Sequence, residues 1–223
     1  MPNSIRKPHA RFEDPLNHFS RAVTKLYSLW VSATYPFASR GSNLLMHYTC
    51  VLSRRVAPGI KIGTSVIIRN NAWINTFDLS GAADDVKIVI GDHCVINAQC
   101  VISAKNNIHL ERDVMVSACS LIMDHNHAYE DLGLPIQAQG LTPGGTIRIE
   151  QGCWIGHGAA IVCGKGELVI GRNSVIAANA LVARSFPPYS VIVGNPARLA
   201  RKFDSVKGIW VGATEHPVVS EHE

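Results

Sequence analysis

Residues 90–104 read IGDHCVINAQCVISA, with Ile90, Ile96 and Ile102 spaced six apart. Neither the helical period nor simple strand alternation produces a beat of six. The beat recurs in groups of three: Ile62, Ile68 and Ile74 before it, then Leu110, Val116 and Ile122, then Ile149, Ile155 and Ile161, then Ile170, Ile176 and Val182. Four positions after the aliphatics stands a small or medium residue: Val66, Ala72, Cys94, Cys100, Val114, Ser120, Cys153, Ala159, Ser174 and Ala180.

A six-residue beat in threes describes a coil with three short strands and three corners. Each aliphatic points inward and stacks on its counterpart one coil away. Gly, Asn or Asp is expected at corners, where a left-handed backbone conformation is needed. Five such coils make a prism with one continuous apolar core. The gaps between groups place insertions at one corner, and the longest, residues 123–146, holds Asp124-His125-Asn126-His127.

Composition fits this picture. Of the 223 residues 47% are hydrophobic, enough for a core, and the formal net charge is only +4. Basic residues gather near the ends (Arg6, Lys7 and Arg11; Arg198, Arg201 and Lys202) rather than in one groove, which argues against nucleic acid as a partner. No signal-peptide core opens the chain and no run reaches membrane-spanning length, so a cytoplasmic location is expected. The six cysteines show no metal-ligand spacing, and four fall on or beside the beat, so they read as packing residues. Over residues 17–39, Phe19, Val23, Leu26, Tyr27, Trp30 and Val31 recur at helical spacing, with Asn17 or Ser20 as cap. This helix is expected to close the prism end; the other reading is a membrane-surface or partner-docking helix.

The beat, together with CWIGHGAAIV (153–162) and VIGRNSVIAANALVARSFPPYSVIVGNPARLARKF (169–203), resembles the hexapeptide-repeat acyltransferases. Within that family it resembles galactoside, maltose and nodulation-type sugar O-acetyltransferases and polysaccharide-modifying acetyltransferases. The resemblance covers about residues 60–203 and implies an all-β, left-handed parallel β-helix with an N-terminal helical segment and a protruding loop. The chain then divides into an N-terminal segment (1–59), the prism (60–203) and an exposed tail (204–223).

The resemblance implies an acetyl-CoA-dependent transfer of an acetyl group to a saccharide hydroxyl, in cell-surface polysaccharide biosynthesis, by homotrimers whose active sites lie between subunits. The chemistry needs a base for the hydroxyl proton, and histidine suits it near neutral pH. In the family the catalytic histidine comes seventeen residues after the aliphatic that opens its coil. Counted from Leu110 that residue is His127, with His125 and Asp124 as supporting groups; one short shift at the corner makes His125 the base instead. Asn97 matches the family's active-site asparagine, and Trp154 a tryptophan near the catalytic centre. Gly156, Ala159, Ala178, Ala183, Arg184 and Arg201 match positions along acetyl-CoA; the family's usual Thr-Lys is Ala183-Arg184 here. Lys165, in three extra residues before the last coil, either reaches a phosphate or sits in a solvated turn. No metal is implied. Two other chemistries remain: an amino-sugar N-acyltransferase, and a zinc enzyme similar to γ-class carbonic anhydrases, for which His93 and His157 are further imidazoles.

Overall fold

The computed structural model describes residues 15–77, 79–80, 82 and 85–212. Helix α1 (Pro15–Thr34) leads into six coils of three strands each. The first coil holds β1 (Ser39–Arg40), β2 (Leu45–Met46) and β3 (Val51–Leu52); the second β4 (Ile60–Ile62), β5 (Ile67–Ile68) and β6 (Trp73–Thr76). The third holds β7 (Ile88–Ile90), β8 (Val95–Ile96) and β9 (Val101–Ala104); the fourth β10 (Asn107–Leu110), β11 (Met115–Val116) and β12 (Leu121–Met123). The fifth holds β13 (Gly144–Ile149), β14 (Trp154–Ile155) and β15 (Ala160–Val162); the sixth β16 (Lys165–Ile170), β17 (Val175–Ile176) and β18 (Leu181–Val182). Strand β19 (Ser190–Val193) adds parallel to β17, and β20 (Arg198–Asp204) and β21 (Ile209–Gly212) follow antiparallel.

The strands stack in parallel into three faces, giving the left-handed parallel β-helix. The beat is the core. Met46, Ile68, Ile96, Val116, Ile155, Ile176 and Ile192 form one inward column on the second face, and all are buried. Each such side chain contributes roughly 1.5–3 kcal/mol by leaving water, and its neighbours one coil away share the gain.

Corners turn through left-handed residues, as expected, but not only at Gly, Asn and Asp. Ser65, His93, Gln99, Cys119 and Tyr189 also hold φ between 57° and 62°. Interstrand bonds on both sides of a corner fix where it turns and outweigh the steric cost, about 1–2 kcal/mol, of a side chain there. Close stacking imposes a second demand: a Cβ on Gly91 would stand 2.6 Å from the Arg112 nitrogen. The corner cysteines pack as expected and do one thing more. The thiols of Cys50, Cys94, Cys100 and Cys153 donate to carbonyls of the coil above, and burial pushes Cys94 and Cys153 up to about 11.

Four boundaries differ from the sequence reading. There are six coils rather than five, because the first, Ser39–Leu52, lacks the aliphatic beat that announces the others and begins ahead of residue 60. The helix runs to Thr34 with Asn17 and Ser20 inside it, so neither caps it. Residues 209–212 of the expected tail form β21, while 213–223, like Arg6, Lys7 and Arg11, lie outside the described residues. Lys165 begins a strand paired to Gly144 rather than a solvated turn.

The helix closes the prism end by one face alone. Thr24, Ser28 and Val31 are buried and Val23 and Tyr27 half-buried, whereas Phe19, Leu26 and Trp30 are exposed. The Ser28 hydroxyl accepts from Met46 N at 2.9 Å, as a missing coil would at the sheet edge, and its one proton is shared between Thr24 O at 2.7 Å and Met46 O at 3.0 Å. None of the described helices is long and apolar enough to cross a membrane.

Candidate active site

Three corners recur in each coil: the first joins faces one and two, the second joins faces two and three, and the third leads to the next coil. Between β9 and β10 the third corner has two residues, Lys105 and Asn106, which leaves their amides in need of partners. Asp124, immediately after β12, supplies them. Its Oδ1 accepts from Lys105 N at 2.7 Å and its Oδ2 from Asn106 N at 2.9 Å. The carboxylate is fully buried, and His125 Nδ1 lies 3.0 Å from Oδ1.

An ionised carboxylate only accepts, so the imidazole nitrogen facing it carries the proton. The neutral ring then has its lone pair at Nε2. His125 is 4% exposed and packs edge-on against Phe77, ring centroids 4.9 Å apart. Its Nε2 makes no hydrogen bond among the described residues and is not sealed from solvent. The site therefore holds an oriented base with its lone pair at the surface.

The loop root holds this arrangement. Gly144 has φ +79°, and a Cβ there would meet Asp124 O at 2.7 Å. Gly145 N donates to the same oxygen, and Lys105 Nζ donates to Thr142 O, both at 2.7 Å. Asn126, His127 and Ala128 run antiparallel to Gly140, Leu141 and Thr142. His127 is exposed there, and no described hydrogen bond engages its ring. The loop spans 124–143 between β12 and β13, and its tip exposes Tyr129, Leu132, Leu134 and Ile136.

Asn97 sits at the second corner after β8. Its Nδ2 donates to Val116 O at 2.9 Å, which leaves the amide oxygen for a ligand. Trp154, 46% exposed on the second face, donates through Nε1 to Ser117 Oγ at 2.9 Å. One strand of the third face, about 13 Å at ~3.3 Å per residue, separates the second corner from the third. Asn97 and His125 of one chain thus cannot touch the same reacting atom.

The positions matched to acetyl-CoA divide in the same way. Gly156 and Ala178 stack at the second corner, where a Cβ on Gly156 would come within 2.6 Å of Ala178 N. Ala183 and Arg184 are exposed at the third corner, two coils above His125, with Arg184 stacked 5.1 Å over Phe186. Lys165 lies on that edge between them, and Arg201 is exposed on β20. Ala159 has its methyl enclosed in the core, donates its amide to Gly156 O and accepts from Leu121 N, so it faces no ligand. Sequence reasoning missed Phe77, Lys105, Asn106 and Ser117, whose parts arise from contacts between coils that no motif carries. His93, His157 and His125 stand at three different corners, so one chain does not bring them around one zinc ion. Among the described residues no three His, Cys, Asp or Glu side chains gather in a metal-binding group.

No family model matches the chain. An Escherichia coli protein named as a lipopolysaccharide biosynthesis O-acetyl transferase is 26% identical over 129 residues, 55% of this chain and 64% of that one. The chain spans less than two thirds of the length of the curated relatives it matches, 42% in another case. Among solved structures, an N-acyltransferase from Bacillus cereus in complex with dTDP and coenzyme A matches at TM-score 0.64 and 18% identity, covering 80% of this chain and 90% of that one. A hexapeptide-repeat acetyltransferase from Vibrio cholerae, complexed with acetyl coenzyme A, matches at 0.55 and 20%, covering 86% and 92%. The solved structures share the fold, and the sequence relatives are named as acetyltransferases.

Proposed function

We propose that the chain transfers an acetyl group from acetyl-CoA to a hydroxyl of a saccharide, with His125 as general base. The observation that carries this reading is the buried Asp124–His125 pair, in which the carboxylate holds Nδ1 and leaves Nε2 without a described partner. The acceptor hydroxyl gives its proton to Nε2 as its oxygen attacks the thioester carbonyl. The tetrahedral adduct collapses with loss of the CoA thiolate, which recovers the proton from the imidazolium. His127, two residues on, borders the acceptor side with Asp124 behind His125.

The third-corner edge above His125 suits the donor, with Lys165 and Arg184 as cations for its phosphates and Ala183 beside them. Asn97 and Trp154 complete the site from a neighbouring copy, as does the edge at Gly156 and Ala178. Two ladders support an assembly of copies, which we assign as a trimer. On the second face, Leu45, Ile67, Val95, Met115, Trp154, Val175 and Val191 point outward in register. On the third, Val51, Trp73, Val101, Leu121, Ala160 and Leu181 do the same. The first face is mixed and mostly polar, with Ser39, Lys61, His109 and Arg148 beside Val89 and Val169. Two apolar faces and one polar face suit closure about a threefold axis with the polar face to solvent.

Six free cysteines suit a reaction in the cytoplasm, and the relative named for lipopolysaccharide biosynthesis supports precursors of a surface polysaccharide as acceptors. An amino sugar is the second acceptor class, favoured by the fold shared with the N-acyltransferase. Thiol release from acetyl-CoA, measured against neutral sugars, amino sugars and sugar nucleotides, tests both. His125→Ala is expected to lower turnover by about 10²–10⁴-fold, and His127→Ala to retain most of it. Full activity in His125→Ala overturns the assignment of the base.

A further inference from the structure

A cavity of about 600 Å³ lies between α1 and the second face of the first two coils. That volume falls in the range of small-molecule sites. Its walls are of two kinds. Leu29, Leu45 and Ile67 give it an apolar side, while Lys25 and Arg21 from α1 face Arg69, Asn70 and His47 at the second corner. Among the described residues no carboxylate lines it, while Lys25 and Arg69 do. Thr24 lines it too, and its buried hydroxyl has no partner among the described residues, whereas its neighbour Ser28 is spent on Met46. Such a cavity fits an anion that carries an apolar or planar body.

Its position says more. His47, Arg69 and Asn97 each occupy the first place after a second-face strand, in three successive coils. His47 N donates to Ile68 O and Arg69 N to Ile96 O, which fixes the stacking. Arg69 is thus one coil, about 4.8 Å, from Asn97, and the cationic wall runs straight into the asparagine.

We propose that this cavity binds the diphosphate ester of a glycosyl diphosphate acceptor, whose sugar then lies along the second corner toward Asn97. Lys25 and Arg69 hold the phosphates, and Leu29, Leu45 and Ile67 carry the attached base or hydrocarbon. The role of this ligand as acceptor rests on the acyl-transfer reading; the binding site does not.

Two diphosphate probes separate the sources of that chemistry: uridine diphosphate for a nucleotide, farnesyl diphosphate for a lipid carrier. Calorimetric titration of the full chain without acetyl-CoA is expected to show one of them binding, and uridine or farnesol binding far more weakly. Lys25→Gln with Arg69→Gln, both exposed side chains, is expected to weaken the diphosphate by about tenfold or more, the loss of one or two charge-assisted hydrogen bonds. Acetyl-CoA affinity should stay unchanged in that variant, which also shows that it folds. Binding by neither diphosphate, or equal affinity in the double variant, overturns the proposal. Charge-dependent diphosphate binding without thiol release from any acceptor would instead sink the acyl-transfer reading and leave this site standing.

Discussion

At the Asp124 carboxylate two backbone amides and one imidazole converge, and the side chain serves structure and chemistry at once. It closes the Lys105–Asn106 corner and sets the tautomer of His125. An amide in its place brings a donor into a site built of donors. Asp124→Asn is therefore expected to cost about 1–3 kcal/mol of stability and to lower turnover by ~10-fold or more, since the ring loses its orienting partner. Thermal melts and thiol release check the two effects separately; a variant unchanged in both would remove Asp124 from each role. The sequence showed that a histidine leaves the prism here, and a count from Leu110 points to His127. What the count lacks is the coil below. The bonds that make His125 the oriented ring reach back to Lys105 and Phe77, residues in other coils with no local mark.

At the scale of the element, α1 illustrates how far periodicity goes. Apolar spacing announces a helix over residues 17–39, and one forms over Pro15–Thr34. Which side it buries is another matter. The prism end offers the helix an exposed strand edge as well as an apolar core, so Ser28 turns inward beside Val31, and Phe19, Leu26 and Trp30 turn out. Ser28→Ala is expected to lose about 1–3 kcal/mol by stranding the Met46 amide. Denaturant unfolding measures this, and an unchanged midpoint and slope would mean that water reaches that edge.

For the whole molecule the faces matter more than the coils. The inward columns alone would make a prism with three equivalent sides, but the outward ladders make two apolar and one polar. Trp73, 44% exposed on the third face, is the second residue of one ladder. Trp73→Glu is expected to leave the folded coil intact and to reduce the particle from three chains to one. Light scattering after gel filtration reads the mass against 24.2 kDa per chain; a wild-type monomer would overturn the trimer.

The prism was legible in the sequence because its determinants are local. A strand of two or three residues sends alternate side chains to opposite sides, so a beat of six states which residue faces the core wherever that residue falls. The first coil escaped because Arg40 and Met46 break the aliphatic rule, although with Leu52 they occupy the same places. Only the tertiary structure decided the rest. Stacking at ~4.8 Å per coil sets Asp124 on the corner below it, His125 on Phe77, and Arg69 beneath Asn97. The DHNH stretch supplies the reagents; the neighbouring coils choose which imidazole is held, by bonds that the order of residues along the chain does not record.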